Sequence, residues 1–302
     1  MPESHNNRAA VFAGLGAYFL WGCMPALFIA IYRAGATPWE LLGQRALWAA
    51  PWAALLVVLA GQHRQVVAVF TRPRVFGLLC LSTLLIALNW VIYVKAVADN
   101  HNLEASLGYY INPLVSVLLG IVLLGERLTP LMKAAVVAAA AGVTWLAVDL
   151  GQLPWISLVL AFSFGTYGLL RKIAPVGALI GLTVETLLLA PLAAAYLGWA
   201  VTRGQSGFVS GGPGIRALLL FAGPVTVVPL LCFAAAARRL PLSTMGFLQY
   251  LSPTLQFLLA VAVYGEKFSR GRAGAFACIW VAVAIFAFDS VRRRAPEPVV
   301  DA

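Results

Sequence analysis

Long apolar runs separated by short polar breaks make up most of this 302-residue chain. A helix needs about 20 predominantly apolar residues to cross the roughly 30 Å hydrocarbon core of a bilayer. Ten runs approach or reach that length, so the pattern predicts ten transmembrane helices. We place these spans at residues 11–33, 39–60, 75–96, 103–125, 131–149, 153–171, 177–200, 215–237, 242–265 and 271–290.

The amino-acid composition agrees with this pattern. Hydrophobic residues make up 62% of the chain and charged residues 11%, whereas soluble domains average about 45–50% apolar and about 25% charged residues. A soluble fold with this composition would have too little polar surface to cover itself. We therefore expect an all-α polytopic membrane protein in a lipid bilayer, and no nucleic-acid partner.

The distribution of Lys and Arg predicts the orientation of the chain, because cytoplasmic loops retain these residues. With the N-terminus inside, the inner loops and termini carry thirteen cations and the outer loops carry six. The two remaining cations, Arg45 and Lys95, lie within predicted spans. Both termini are therefore predicted to be cytoplasmic, and this bias accounts for the formal charge of +10.

A sequence repeat with an offset of 140 residues divides the chain into two halves. The recurring pairs include Tyr110/Tyr250, Pro113/Pro253, Gly125/Gly265 and Glu126/Glu266. Each half contains five predicted spans, and this odd number turns the second half upside down relative to the first. Inverted repeats are typical of secondary transporters, whose substrate sites lie near the membrane midplane. A duplication retained only for packing is the alternative.

The repeat also predicts the domain boundaries. We expect the first five-helix repeat at residues 1–150, the second at 151–291, and a disordered cytoplasmic tail at 292–302. The fifth and tenth spans consist of small, apolar residues without interior charges. Such helices pack at the periphery of a bundle, where they contact either lipid or a second copy in a homodimer.

Three segments are long enough to suggest a family. They are NWVIYVKAVADNHNLEASLGYYINPLVSVLLGIVLLGERL at 89–128, VETLLLAP at 184–191 and ARRLPLSTMGFLQYLSPTLQFLLAVAVYGE at 237–266. These segments resemble the RarD group of EamA-type permeases, in the drug/metabolite transporter superfamily. The resemblance implies ten helices in two EamA repeats, a bacterial inner membrane and transport of small organic molecules, including chloramphenicol-like compounds. Lys95 departs from the aromatic or neutral residue that we expect in this family.

The sequence offers little support for other functional classes. It contains no His-Glu-x-x-His, no acidic metal motif and no Gly-x-Ser-x-Gly, so we expect no enzyme activity, no cofactor and no metal site. A Walker A motif is also absent, which favours a secondary transporter that works by alternating access. A channel-like facilitator of small polar solutes is the alternative, and saturable, counter-transported flux would distinguish the two.

Charged residues inside the spans are candidates for function, because ionisable groups in hydrocarbon are costly and usually face a cavity or a partner. Arg45 and its repeat equivalent Glu185 are expected to form either a substrate or gating charge pair or a static ion pair. Lys95 and Glu104 flank a short outer turn. A proton or gating role for these two residues competes with an interfacial pair in which Lys95 reaches outward.

Neutral polar residues suggest the wall of a substrate cavity. Residues three and four apart share a helical face, so Tyr110 and Pro113 can line one surface and Tyr250 and Pro253 its counterpart. Each proline can bend its helix there, whereas polar contacts between helices are the alternative explanation. The predicted substrate-cavity residues are Arg45, Asn89, Trp90, Tyr109, Tyr110, Asn112, Pro113, Glu185, Gln249, Tyr250, Pro253 and Gln256.

Overall fold

A computed structural model describes residues 2–99, 101–150, 154–262 and 270–292, and every regular element in these ranges is a helix. The end of the predicted ninth span and the predicted tail beyond residue 292 lie outside the described residues. The helices are α1 Pro2–Arg33, α2 Pro38–Leu59, α3 His63–Phe70, α4 Pro73–Ala98, α5 Asn102–Leu124, α6 Pro130–Leu150, α7 Trp155–Ile173, α8 Ala178–Thr202, α9 Gly207–Ser210, α10 Pro213–Ala237, α11 Leu242–Gln249, α12 Leu251–Ala262 and α13 Arg270–Arg292.

Eight of these helices are long and apolar enough to cross a membrane, namely α1, α2, α4, α5, α6, α7, α8 and α10. They coincide with the first eight predicted spans, which confirms the prediction of an all-α polytopic membrane protein. The last two predicted spans differ from these eight. The ninth is divided between α11 and α12, and α13 contains a shorter apolar stretch, Gly274–Ser290, among the residues whose side chains are described.

The interruption between α11 and α12 falls at Tyr250, three residues before Pro253. Proline has no backbone N–H, so Pro253 cannot bond to the carbonyl of Gln249, four residues earlier. At the break itself, the backbone N–H of Tyr250 donates to the carbonyl of Phe247, three residues earlier, at 3.2 Å, which is a tighter turn than that of an α-helix. By contrast, α5 continues through the equivalent Pro113.

Local sequence signals set several helix ends. The side chain of Thr37 accepts a hydrogen bond from the backbone N–H of Glu40, and Pro38 occupies the first position of α2; both are common at helix N-termini. Gly125 ends α5 with a φ of 66°, a left-handed conformation that glycine adopts without steric cost. The short helices α3 and α9 lie in connections that the apolar pattern did not resolve as helical.

Helices from the two halves of the sequence pack against each other throughout the bundle. The most extensive pairings are α5 with α7, α6 with α13, and α2 with α8. In addition, α1 packs on α10 and α12, α4 packs on α7 and α8, α2 packs on α10, and α5 packs on α11. The core is therefore shared between the halves.

Glycines permit the closest of these approaches. A Cβ on Gly246 would lie 2.6 Å from the carbonyl oxygen of Pro113, where α11 meets α5. A Cβ on Gly142 would lie 2.7 Å from the carbonyl oxygen of Ala275, where α6 meets α13. Both distances are shorter than non-bonded atoms accept, so only glycine fits. The small residues of α6 and α13 thus serve packing within one chain, and a homodimer stays a prediction.

Two carboxylates also join the halves by binding helix N-termini, where unpaired backbone N–H groups favour negative charge. Glu126, just after α5, accepts hydrogen bonds from the backbone N–H groups of Leu242 and Ser243 at the start of α11. Glu40 on α2, which is almost fully buried, accepts one from Gly207 at the start of α9, at 2.9 Å. Glu40 was not singled out in the sequence.

Candidate substrate cavity

Helices from both halves enclose a cavity of about 80 Å³ inside the bundle. Its wall is largely aromatic and carries a few polar groups, as is typical of sites for small organic ligands. The lining residues are Tyr18, Trp21, Met24, Pro25, Phe28, Arg45, Asn89, Trp90, Tyr93, Tyr109, Phe164, Leu230, Gln249, Ser252 and Gln256.

Half of the predicted cavity residues lie on this wall. These are Arg45, Asn89, Trp90, Tyr109, Gln249 and Gln256. The other half lie elsewhere in the bundle. These are Tyr110, Asn112, Pro113, Glu185, Tyr250 and Pro253. Their contacts explain why the helices direct them away from the cavity.

Arg45 on α2 is the one charged residue among the described residues that line the cavity. Its guanidinium carbon lies 4.4 Å from the ring centroid of Trp90 and 5.4 Å from that of Phe28. Its Nε donates a hydrogen bond to the hydroxyl of Thr226 on α10, at 3.2 Å. Cation–π contact and this hydrogen bond hold the guanidinium in place and offset part of its desolvation.

Amide and hydroxyl groups also line the cavity, and their hydrogen bonding differs. Asn89 donates from its amide nitrogen to the carbonyl of Leu160 on α7, at 2.9 Å. Ser252 donates to the carbonyl of Tyr18 on α1, at 2.5 Å. Within the described residues, the Gln249 side chain makes no hydrogen bond. Its amide atoms are also not among the fully buried polar atoms without a partner. Gln249 is therefore available to a ligand.

An aromatic cluster extends outward from one part of the cavity wall. Trp21 and Phe164 line the cavity, with ring centroids 5.5 Å apart. Behind them, Phe233 lies 5.2 Å from Phe164 and stacks on Tyr167, at 5.9 Å with an interplanar angle of 14°. We call these four residues the aromatic cluster. It connects the cavity wall with a buried charged group, to which the hydroxyl of Tyr167 donates a hydrogen bond.

That buried group contains Glu185 and corrects the predicted Arg45–Glu185 pair. Glu185 Oε1 lies 3.5 Å from Nη1 of Arg171 on α7 and accepts a hydrogen bond from the hydroxyl of Ser82 on α4. The hydroxyl of Tyr167 donates to Glu185 Oε2, at 3.3 Å. Within the described residues, Arg45 forms no ion pair. The expected static ion pair between Arg45 and Glu185 is therefore wrong, whereas their role as a substrate or gating charge pair stays a prediction.

Arg171 was missed as the partner because the sequence placed it at the loop end of the sixth span. In the structure α7 continues to Ile173, and the Arg171 side chain is fully buried. Its Nη2 donates to the carbonyl of Ala178, at 2.9 Å, whereas its Nε and Nη1 have no hydrogen-bond partner among the described residues. Gly181 leaves room for this guanidinium, which a Cβ there would overlap.

Tyr110 and Tyr250 join α5 to the α11–α12 break and do not line the cavity. The hydroxyl of Tyr110 donates to the carbonyl of Pro253, at 3.3 Å, and the hydroxyl of Tyr250 donates to the carbonyl of Tyr110, at 3.4 Å. Asn112 is buried near this crossing and Pro113 contacts α11. The alternative explanation, polar contacts between helices, describes these residues.

Lys95 and Glu104 do not form the predicted interfacial pair. Lys95 Nζ lies 2.6 Å from Asp99 Oδ2, and about half of each side chain is exposed. This contact holds the pKa of the Asp99 carboxyl below its usual value. Glu104 is buried, and its Oε1 lies 3.7 Å from His101 Nδ1. Neither Lys95 nor Glu104 lines the cavity, and their gating role is untested.

Several lining residues were missed in the sequence. The first span was assigned no site residue, although α1 contributes five positions: Tyr18, Trp21, Met24, Pro25 and Phe28. The repeat offset contains a signal that could have found some of the missed residues. In three pairs of positions at an offset of 140 residues, both members line the cavity. These pairs are Met24/Phe164, Trp90/Leu230 and Tyr109/Gln249.

Comparisons with known proteins place the chain in a family. The chain is 48% identical over 298 residues to an uncharacterized transporter of Pseudomonas aeruginosa, covering 97% of this chain and 98% of that protein. It is 45% identical to protein RarD of Salmonella typhi and 44% identical to protein RarD of Escherichia coli, covering 98% and 97% of those proteins, respectively, and 96% of this chain in both cases. No family model matches the chain.

One solved crystal structure of a protein has a TM-score of 0.69 to this chain, covering 94% of it and 99% of that structure. The sequence identity is 19%, so this likeness concerns the fold alone. Fold, cavity and relatives together define a multi-pass membrane transporter with a small-molecule substrate and a lipid environment. The chain belongs to the RarD group of permeases, which confirms the resemblance noted in the sequence.

Proposed function

We propose that this protein is a secondary transporter that moves small organic molecules across the bacterial inner membrane by alternating access of the cavity around Arg45. The main support is that equivalent positions of the two halves line that cavity. Trp90 and Leu230 form one such pair, and Tyr109 and Gln249 form another. In transporters built from inverted repeats, the substrate site lies between the repeats.

The helix packing supports the two repeats, at 1–150 and 151–291, and their ten transmembrane helices. The offset of 140 residues relates α1 to α7, α2 to α8, α4 to α10, α5 to α11–α12, and α6 to α13. If each helix is replaced by its equivalent in the other half, the contact of α1 with α10 becomes the contact of α7 with α4. In the same way, the contact of α5 with α7 becomes the contact of α11 and α12 with α1. The α2–α8, α5–α11 and α6–α13 contacts map onto themselves. This packing is expected of a pseudo-twofold axis.

The aromatic cluster and the Glu185 group indicate which side of the cavity is closed. Tyr167 and Arg171, which contact Glu185, lie in the C-terminal half of α7, and we predict that this end of the helix is cytoplasmic. The structure is therefore proposed to represent a conformation closed to the cytoplasm. Its cavity of about 80 Å³ is smaller than the roughly 300–1,000 Å³ of typical ligand pockets. A chloramphenicol-like compound would need the cavity to widen as the halves move.

The proposed orientation, with both termini cytoplasmic, predicts the labelling of two exposed residues in the connections between spans. In a variant without the four native cysteines, Gln205→Cys should react with a membrane-impermeant maleimide added to intact cells, because its loop is predicted to be outside. His63→Cys, in a loop predicted to be inside, should react only after the cells are permeabilised. The opposite pattern would reverse the orientation, and equal labelling of both would contradict the ten-helix arrangement.

Transport itself can be tested with purified protein in liposomes. A panel of metabolites and antibiotics, with and without a pH gradient, should contain compounds that show saturable uptake and counterflow. Leu230→Trp should reduce this flux about tenfold or more, because the larger ring would occupy much of a cavity that is already smaller than typical ligand pockets. Leu220→Trp is the matched control, since Leu220 lies on the same helix but is 39% exposed at the bundle surface.

Each outcome of the flux measurement has a defined meaning. Counterflow that Leu230→Trp abolishes and Leu220→Trp preserves supports the proposal. Flux that does not saturate and shows no counterflow would favour the channel-like facilitator. Normal flux in Leu230→Trp would show that substrates do not pass through this cavity.

A further inference from the structure

The cavity contains a positive charge without a negative partner. Among the lining residues that the structure describes, Arg45 is charged and none is acidic. The ion pairs found in the described ranges involve Lys95, His101 and Arg171, and none involves Arg45. A cation inside a membrane protein is costly unless it is paired. The imbalance therefore points to an anion that comes from outside the protein.

The guanidinium of Arg45 is held so that one edge is free. Its Nε is bonded to Thr226, and its faces lie against Phe28 and Trp90. Its two terminal nitrogens make no hydrogen bond within the described residues and are not among the fully buried polar atoms there. An arginine fixed in this way presents a planar pair of donors, the geometry that binds a carboxylate with two parallel hydrogen bonds.

The rest of the wall fits the remainder of such a molecule. Trp90, Trp21 and Phe164 line the cavity, and aromatic rings contact a flat apolar group in offset-stacked or edge-to-face arrangements. The unbonded amide of Gln249 offers both a donor and an acceptor for a second polar group.

We propose that the cavity selects small organic anions, with a carboxylate bound to Arg45 and a flat apolar portion among the aromatic rings. This inference rests on the proposed transport function, because it names the substrate class of the same cavity. It excludes organic cations as preferred ligands, since Arg45 would repel them. The same positive charge predicts that a neutral molecule of the same shape binds less well.

Matched pairs of probes test this proposal without any transport. Benzoate and benzamide, and phenylacetate and phenylacetamide, differ by a carboxylate against a neutral amide of nearly the same shape. We expect purified protein to bind each carboxylate about tenfold or more tightly than its amide, because a hydrogen bond to a charged group contributes more than a neutral one. Isothermal titration and quenching of tryptophan fluorescence measure both affinities.

The Arg45→Gln variant should bind the carboxylate and the amide of each pair with the same affinity, to within about twofold. Thr226→Val is the matched control, since it removes the hydrogen bond to Nε but keeps the charge, and it should retain most of the preference. The result that would overturn the proposal is a wild-type protein that binds no carboxylate of the series, or binds carboxylate and amide alike. This wild-type measurement decides the matter even if Arg45→Gln does not fold.

The outcome separates this inference from the proposed function. A carboxylate preference in a protein that transports nothing in the liposome panel would leave the anion site standing and reject transport. Saturable flux of neutral or cationic compounds, together with no carboxylate preference, would support transport and reject the anion site.

Discussion

The Glu185→Gln variant is expected to unfold at a much lower temperature than the wild-type protein. Glu185 is the carboxylate that balances the fully buried Arg171, and it accepts hydrogen bonds from Ser82 and Tyr167. Removing its charge leaves a buried cation without a counter-ion, which costs about 3–5 kcal/mol when one member of a buried ion pair is lost. Thermal unfolding of the detergent-purified protein, followed by tryptophan fluorescence, measures the difference.

A double variant provides the control for this prediction. Arg171→Met combined with Glu185→Leu removes both charges and keeps apolar volume, and such replacements are often neutral or stabilising. We expect the double variant to be more stable than Glu185→Gln. An unfolding temperature for Glu185→Gln equal to that of the wild type would contradict a buried ion pair, as would a double variant less stable than Glu185→Gln.

Two glycines on the same helix give a second check on the Arg171–Glu185 group. A methyl group at Gly181 would overlap the Arg171 guanidinium, whereas one at Gly198 meets no atom within 4 Å. Gly181→Ala should therefore lower the unfolding temperature by displacing Arg171 from Glu185. Gly198→Ala should leave it unchanged or raise it slightly, because alanine in a helix interior is favoured over glycine by up to about 1 kcal/mol.

Much of the fold could be predicted from the sequence, because a bilayer permits few solutions. Backbone groups in hydrocarbon must bond within the same segment, so long apolar runs become helices, and the first eight predicted spans match α1 to α10 without the short α3 and α9. The ninth span was harder to predict. Pro253 interrupts its helix although Pro113 does not interrupt α5, and the sequence around the two prolines is alike.

The site was less predictable, for two physical reasons. The partner of Glu185 depended on where α7 ends, and an error of two or three residues moved Arg171 from the buried core to a loop. The lining residues of α1 are mostly aromatic or apolar, such as Trp21 and Phe28. In a membrane helix such residues give no contrast with those that face lipid. Arg45 was found because a charge within a span does give that contrast.

The cavity residue Met24 allows the most direct test of alternating access. Met24 on α1 is buried at the cavity wall, and a transporter that alternates exposes its cavity to one side at a time. Met24→Cys, in a variant without the four native cysteines, should therefore react with a membrane-impermeant thiol reagent from either face. Phe19→Cys is the control, because Phe19 lies on the same helix but is 50% exposed at the bundle surface.

The deciding measurement is the rate of this reaction in right-side-out and inside-out vesicles, with and without a gradient of a transported compound. We predict that any gradient which raises the rate for Met24→Cys from one face lowers it from the other, while Phe19→Cys is unaffected. Rates that rise together from both faces would indicate a channel. Reaction from a single face under every gradient would contradict alternating access through this cavity.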